Sequence, residues 1–129
     1  MLKYVAVILA LLGTSPALAH SESEVHQGPH GGHIIDAGGG VQHWELVADH
    51  DALVLYVTDG EEKPVSTEGG SAQGTVLVDG KTHQVTFEPS GENTLTAEGD
   101  FDGHHDMVVI VKTKDVGGES LQARLTTMH

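Results

Sequence analysis

The sequence predicts an all-β domain, and three observations carry that prediction. After residue 33 the apolar residues fall in seven or eight short runs, each bounded by Gly, Pro, Asn, Asp or Ser, which is the spacing of consecutive strands. Asp79-Gly80 separates two such runs by two residues, the signal of a type I′ hairpin. No segment holds a period of 3.6 long enough for a helix. So many short strands in about 95 residues suit a small antiparallel β-sandwich of the immunoglobulin-like kind or a small barrel.

In chain order, the first element is not part of that domain. Lys3 supplies a positive start, residues 4–12 are an apolar run, and Ser15-Pro16-Ala17-Leu18-Ala19 ends in small residues. This is the pattern of a secretory signal peptide over residues 1–19, so the domain is expected in the periplasm or outside the cell. The run is too short to span a bilayer and no later stretch reaches the ~20 apolar residues that a span needs, so no membrane insertion is expected. Residues 20–33 are polar, without a hydrophobic period, and read as a flexible histidine-rich arm. The β domain then occupies residues 34–129.

Within it, Ile34-Ile35 reads as a brief first strand closed by Gly38-Gly39-Gly40. Residues 41–48 alternate, with Trp44, Leu46 and Ala48 on one side and His43 and Glu45 on the other, so a core position for Trp44 turns His43 and Glu45 outward together. Asp49-His50-Asp51 is a turn into 52–58, which is apolar on both faces and reads as central. Residues 59–70 form a polar loop. The runs at 74–78 and 81–88 flank Asp79-Gly80, 93–97 is a further short strand, and 107–112 and 121–126 are the last two. His83 shares the parity of Val85 and Phe87 and is expected at the edge of the core.

Composition narrows the chemistry. With no cysteine there is neither a disulfide framework nor a thiolate site, so a metal would be held by His, Met or carboxylate. Without Lys3 the remaining chain has five basic residues against nineteen acidic ones, a net charge of −14 with neutral histidines. That field repels nucleic acid and concentrates cations. Signatures of enzymes are missing: there is no His-Glu-x-x-His helix, no Gly-x-Ser-x-Gly elbow and no phosphate loop.

Ten histidines remain to be explained, and three of them, His26, His30 and His33, stand within eight residues on a segment containing Gly28, Gly31 and Gly32. Imidazole is the commonest protein ligand of zinc, copper and nickel, and a glycine-rich loop can bring two rings to one ion. The primary pair is expected to be His30 with His43, completed by His33 or Glu45. A second candidate cluster, His104 and His105, precedes the 107–112 strand, where adjacent residues on an extended chain diverge, so that one of the two is the better ligand.

Pro29-His30-Gly31-Gly32, His43-Trp44-Glu45-Leu46-Val47, the run from Leu53 to Asp59 and the closing Leu121-Gln122-Ala123-Arg124-Leu125 together resemble a known pattern over residues 28 to 126. It is that of the small histidine-bearing domains of bacterial periplasmic proteins, found alone or at the N-terminus of periplasmic adaptor subunits of heavy-metal efflux pumps of the cobalt–zinc–cadmium type. The resemblance implies a β-rich metal-binding module in which His30, His43 and Glu45 are the matching positions. It also implies a heavy-metal efflux system as partner, although the coiled-coil, lipoyl-like and barrel parts of the adaptors have no counterpart here. The expected function is non-enzymatic binding of a divalent transition metal, zinc first, then copper or nickel, as a buffer or carrier. The competing classes are an adhesion or interaction sandwich whose histidines are incidental, and a small metalloenzyme.

Overall fold

The computed structural model describes residues 26–101 and 107–127. These form nine antiparallel strands and no helix: β1 (His26–Gln27), β2 (His33–Ala37), β3 (Gln42–Ala48), β4 (Ala52–Asp59), β5 (Ser71–Val78), β6 (Lys81–Pro89), β7 (Thr94–Glu98), β8 (Met107–Lys114) and β9 (Gln122–Thr127). The sheet order is β1-β2-β3-β4-β7-β6-β5-β8-β9. The ends curl together until β9 packs against β2 and β3, so the sheet is a nearly closed, barrel-like one. The all-β expectation of a small antiparallel sandwich or barrel is met in this form. Among the described residues no helix is long and apolar enough to cross a membrane.

Alternation in the sequence sets which residues point inward. Trp44 and Leu46 of β3, Leu53, Leu55 and Val57 of β4, Phe87 of β6, Leu95 and Ala97 of β7, and Met107, Val109 and Val111 of β8 are all buried in one core. One buried polar residue among several, Gln42, is satisfied: Trp44 donates its indole N–H to Gln42 at 3.0 Å, and the Gln42 amide donates to the carbonyl of Val116 at 2.8 Å. This chain of two bonds ties the start of β3 to the turn between β8 and β9.

The Asp79-Gly80 hairpin is as expected, with both residues at positive φ, 52° and 74°. The strand before it begins three residues earlier than its apolar run, at Ser71. Gly74 interrupts the pattern there because it lies under the Phe87 ring, where a Cβ would stand 2.8 Å from the ring edge. His83 is not at the edge of the core. It is exposed, as are the other first residues of β6, although it pairs with the buried Val76.

The largest departure is at the N-terminal side. The described part of the expected flexible arm, 26–33, is ordered into the sheet: His26 pairs with Ile34 and Gln27 with His33. The turn between them is closed by Gly28 N–H donating to the Gly32 carbonyl at 2.7 Å and Gly31 N–H to the Gly28 carbonyl at 3.1 Å. A hydrophobic period is the signal of a strand that covers a core. This segment covers a buried carboxylate instead, and a polar sequence suits that task.

Candidate functional site

The site lies on the outer side of β2, β3 and β4, opposite the core. Register sets two rows across these strands: Asp36 beside His43 beside Thr58, and Ile34 beside Glu45 beside Tyr56. In an antiparallel sheet, paired residues project to the same side, so His43 and Glu45 share this face, as their parity predicts. The expectation that both face solvent holds only for the parity. Glu45 retains only 5% of its side-chain exposure, because the 28–32 turn folds over it.

Glu45 is the organising group. Its Oε2 accepts the backbone N–H groups of His30 and Gly32, both at 2.9 Å, and its Oε1 stands 2.8 Å from Nδ1 of His30. Three hydrogen bonds satisfy a carboxylate that burial would otherwise penalise. The glycines follow from this packing. A Cβ on Gly28 would run into the Glu45 carboxylate, one on Gly32 into the carbonyl oxygen of Leu46, and Gly31 sits at φ 86°. They let the backbone come close to a side chain, which is a different use from the loosened loop inferred from sequence.

Held at one nitrogen by Glu45, the His30 ring lies flat on Tyr56, with centroids 3.6 Å apart and planes 5° from parallel. Its side chain remains 44% exposed. His43, on the neighbouring row, has its Nε2 3.1 Å from Oδ1 of Asp36, its register partner on β2. Both rings border one cleft of about 360 Å³, together with Gln27, Ile34, Tyr56 and Asn93. At the end of β4, Asp59 accepts the backbone N–H groups of Lys63 at 3.0 Å and Glu61 at 2.8 Å. Those bonds, that to Lys63 first, hold its carboxyl below the ordinary aspartate value.

The structure therefore brings His30, His43 and Glu45 to one face, with Glu45 fully engaged as an acceptor of hydrogen bonds and not turned toward the cleft as a third ligand. His33 does not join them. It pairs with Leu46 on the core-facing row, next to a cavity of about 50 Å³ that it shares with Thr126 and Thr127, and its Nδ1 is buried there without a partner. Strand β2 begins at His33 itself, so His33 and Ile34 fall on opposite sides. His26 occupies the register position beside Ile34. His104 and His105 lie outside the described residues. Among the described residues no three of His, Asp and Glu converge as a metal-holding group. Sequence reading missed Asp36 and Tyr56. Asp36 was within reach, since a hairpin closed at Gly38-Gly39-Gly40 sets it opposite His43, whereas nothing local marks Tyr56.

No protein-family model, curated protein or solved structure matches the chain. The likeness to periplasmic metal-binding domains accordingly rests on the motif residues alone.

Proposed function

We propose that the protein is an exported, non-enzymatic binder of divalent transition metal, zinc before copper or nickel, which takes up the ion in the cleft bordered by His30 and His43 and acts as a buffer or as a carrier to an export system. The observation that carries this reading is the Glu45–His30 pair. A carboxylate that fixes one imidazole nitrogen is the usual support of a metal-binding histidine, because it orients the ring and makes the other nitrogen a better donor. Here that support is built at the expense of three glycines and a buried charge, while the ring itself stays accessible in a cleft.

Two imidazoles and solvent make an open coordination sphere, which suits an ion that is exchanged more than one that is locked into the fold. The acidic field of the chain gathers cations around it. The test is calorimetric titration of zinc and of copper(II) into metal-free protein. A site tighter than about 100 μM, roughly 5.5 kcal/mol of binding free energy, is expected. Absence of such a site for both ions would overturn the proposal in favour of an interaction domain with incidental histidines.

A further inference from the structure

The outward positions of β5, β6, β8 and β9 make one continuous surface, none of it bordering the cleft, and its charge is the reverse of the chain's. Beyond Lys3 the chain has five basic residues, and three of them, Lys112, Lys114 and Arg124, project from this face. Glu88, near the end of β6, is the one carboxylate among the outward positions of these strands. All three cations are exposed, and none has an ion-pair partner among the described residues, in a chain that carries nineteen acidic ones. Beside them stand Leu77 and Ile110, each 41% exposed, two of the three large apolar side chains that the described residues leave at the surface. Single exposed apolar residues are ordinary. These two are diagonal neighbours, since Leu77 pairs with Val108 and Ile110 pairs with Thr75 on one side and Arg124 on the other.

We infer that this face is a docking surface for a short acidic segment of another polypeptide, whose carboxylates meet Lys112, Lys114 and Arg124 and whose apolar residues cover Leu77 and Ile110. Charge complementarity selects the sign of the partner, because cations left unpaired within an acidic chain are matched only by carboxylates from outside it. Size selects a segment over a domain. Four strands about 4.8 Å apart, crossed by the eight residues of β5, give a footprint on the order of 400 Å². That is about half of the ~800 Å² that each partner of a standard interface buries. An anionic membrane fits less well, because so extended a surface also meets the acidic remainder of the chain, and two apolar side chains give it little to hold. A second copy docked face to face would set the same cations against these. The inference does not depend on metal uptake, since the cleft is lined by other residues.

Amide NMR spectra of the full chain, titrated with a short synthetic peptide of glutamates around a central pair of leucines, test this. Shifts are expected at Leu77, Ile110, Lys112 and Arg124 and not around His30 and His43, and the same peptide with lysines for glutamates should cause none. The double variant Lys112→Glu, Arg124→Glu should weaken the binding about tenfold or more while its thermal melt stays unchanged, because both positions are exposed. Raising the salt from about 0.05 M to about 0.3 M should weaken it as well. No shift at about 1 mM acidic peptide, or shifts that survive the double variant, would overturn the docking surface. Two further outcomes would also overturn it in favour of another occupant. One is tighter binding to phosphatidylglycerol vesicles than to the peptide, lost in the double variant. The other is a dimer of the free chain in sedimentation that Ile110→Glu dissociates.

Discussion

The carboxylate of Glu45 fills the space that a side chain at position 28 would need, so Gly28 and Glu45 form one packing unit although Gly28 lies in the turn before β2 and Glu45 in the middle of β3, seventeen residues away. Replacing Gly28 by alanine must push the carboxylate out or open the 28–32 turn. Forcing a methyl into a filled space costs about 1–3 kcal/mol. For a domain of this size that corresponds to a fall in Tm of several degrees for each kcal/mol. A thermal melt checks it, and an unchanged Tm would show that the turn is not held as described.

Removing the acceptor itself should act differently from replacing it. Glu45→Ala leaves the N–H groups of His30 and Gly32 without their partner, at a cost of about 1–3 kcal/mol, and frees the His30 ring. Glu45→Gln keeps one carbonyl oxygen for the two N–H groups but turns an amide N–H toward His30 Nδ1, which must then accept. The fold is expected to survive in Glu45→Gln while the proton of His30 moves to Nε2 and zinc affinity drops. Denaturant unfolding and zinc titration of the two variants, side by side, separate the effects.

Substituting His30 or His43 by alanine should each remove most of the zinc affinity, whereas His83→Ala, on an exposed strand end, should cost little. The half-buried His33 faces the opposite side of the sheet, with its Nδ1 buried, so His33→Ala should change stability more than affinity. Equal losses from His30→Ala and His83→Ala would remove the cleft as the site and bring forward His104 and His105.

Zinc affinity should fall steadily between about pH 7 and pH 5, because protons compete for imidazole, whose reference pKa is about 6.5. Calorimetry at three pH values reads this directly. An affinity that stays flat down to pH 5 would point to carboxylates as the ligands.

Acid should loosen the 59–63 turn at a lower pH. The Asp59 carboxyl is held below its ordinary value of 3.8 by the N–H groups of Lys63 and Glu61, so its folded-state pKa is depressed. A depressed carboxylate pKa contributes stability above the unfolded value, and that contribution is lost as pH falls through the folded value. Amide exchange at Glu61 and Lys63 should accelerate below about pH 4, and Asp59→Ala should show the fast exchange at neutral pH already.

The strands were legible because burial on one face imposes a period of two, and the Asp79-Gly80 turn because only small or polar residues take positive φ twice in a row. The face shared by His43 and Glu45 was legible for the same reason. What lay over that face was not. The cover is made by 28–32, a polar stretch whose order comes from hydrogen bonds to a side chain thirteen or more residues away, and periodicity carries no trace of such bonds. The side taken by His33 was hidden too, since Ile34 and Ile35 are both apolar and give no parity from which to count back.

The hydrogen bonds that Glu45 accepts from His30 and Gly32, and the 3.1 Å contact of His43 with Asp36, lie within residues 26–59, while β5 to β9 supply the rest of the barrel. The chain thus divides its labour along its length. Substitutions in the later strands can drift, repack or lengthen loops without touching an atom that aims a histidine, so the second half is free to acquire new surfaces while the first half keeps its chemistry. Natural variation in this protein should therefore be uneven: tolerant from Ser71 onward at outward positions other than the docking face, and sparse among the three glycines and two carboxylates near the start.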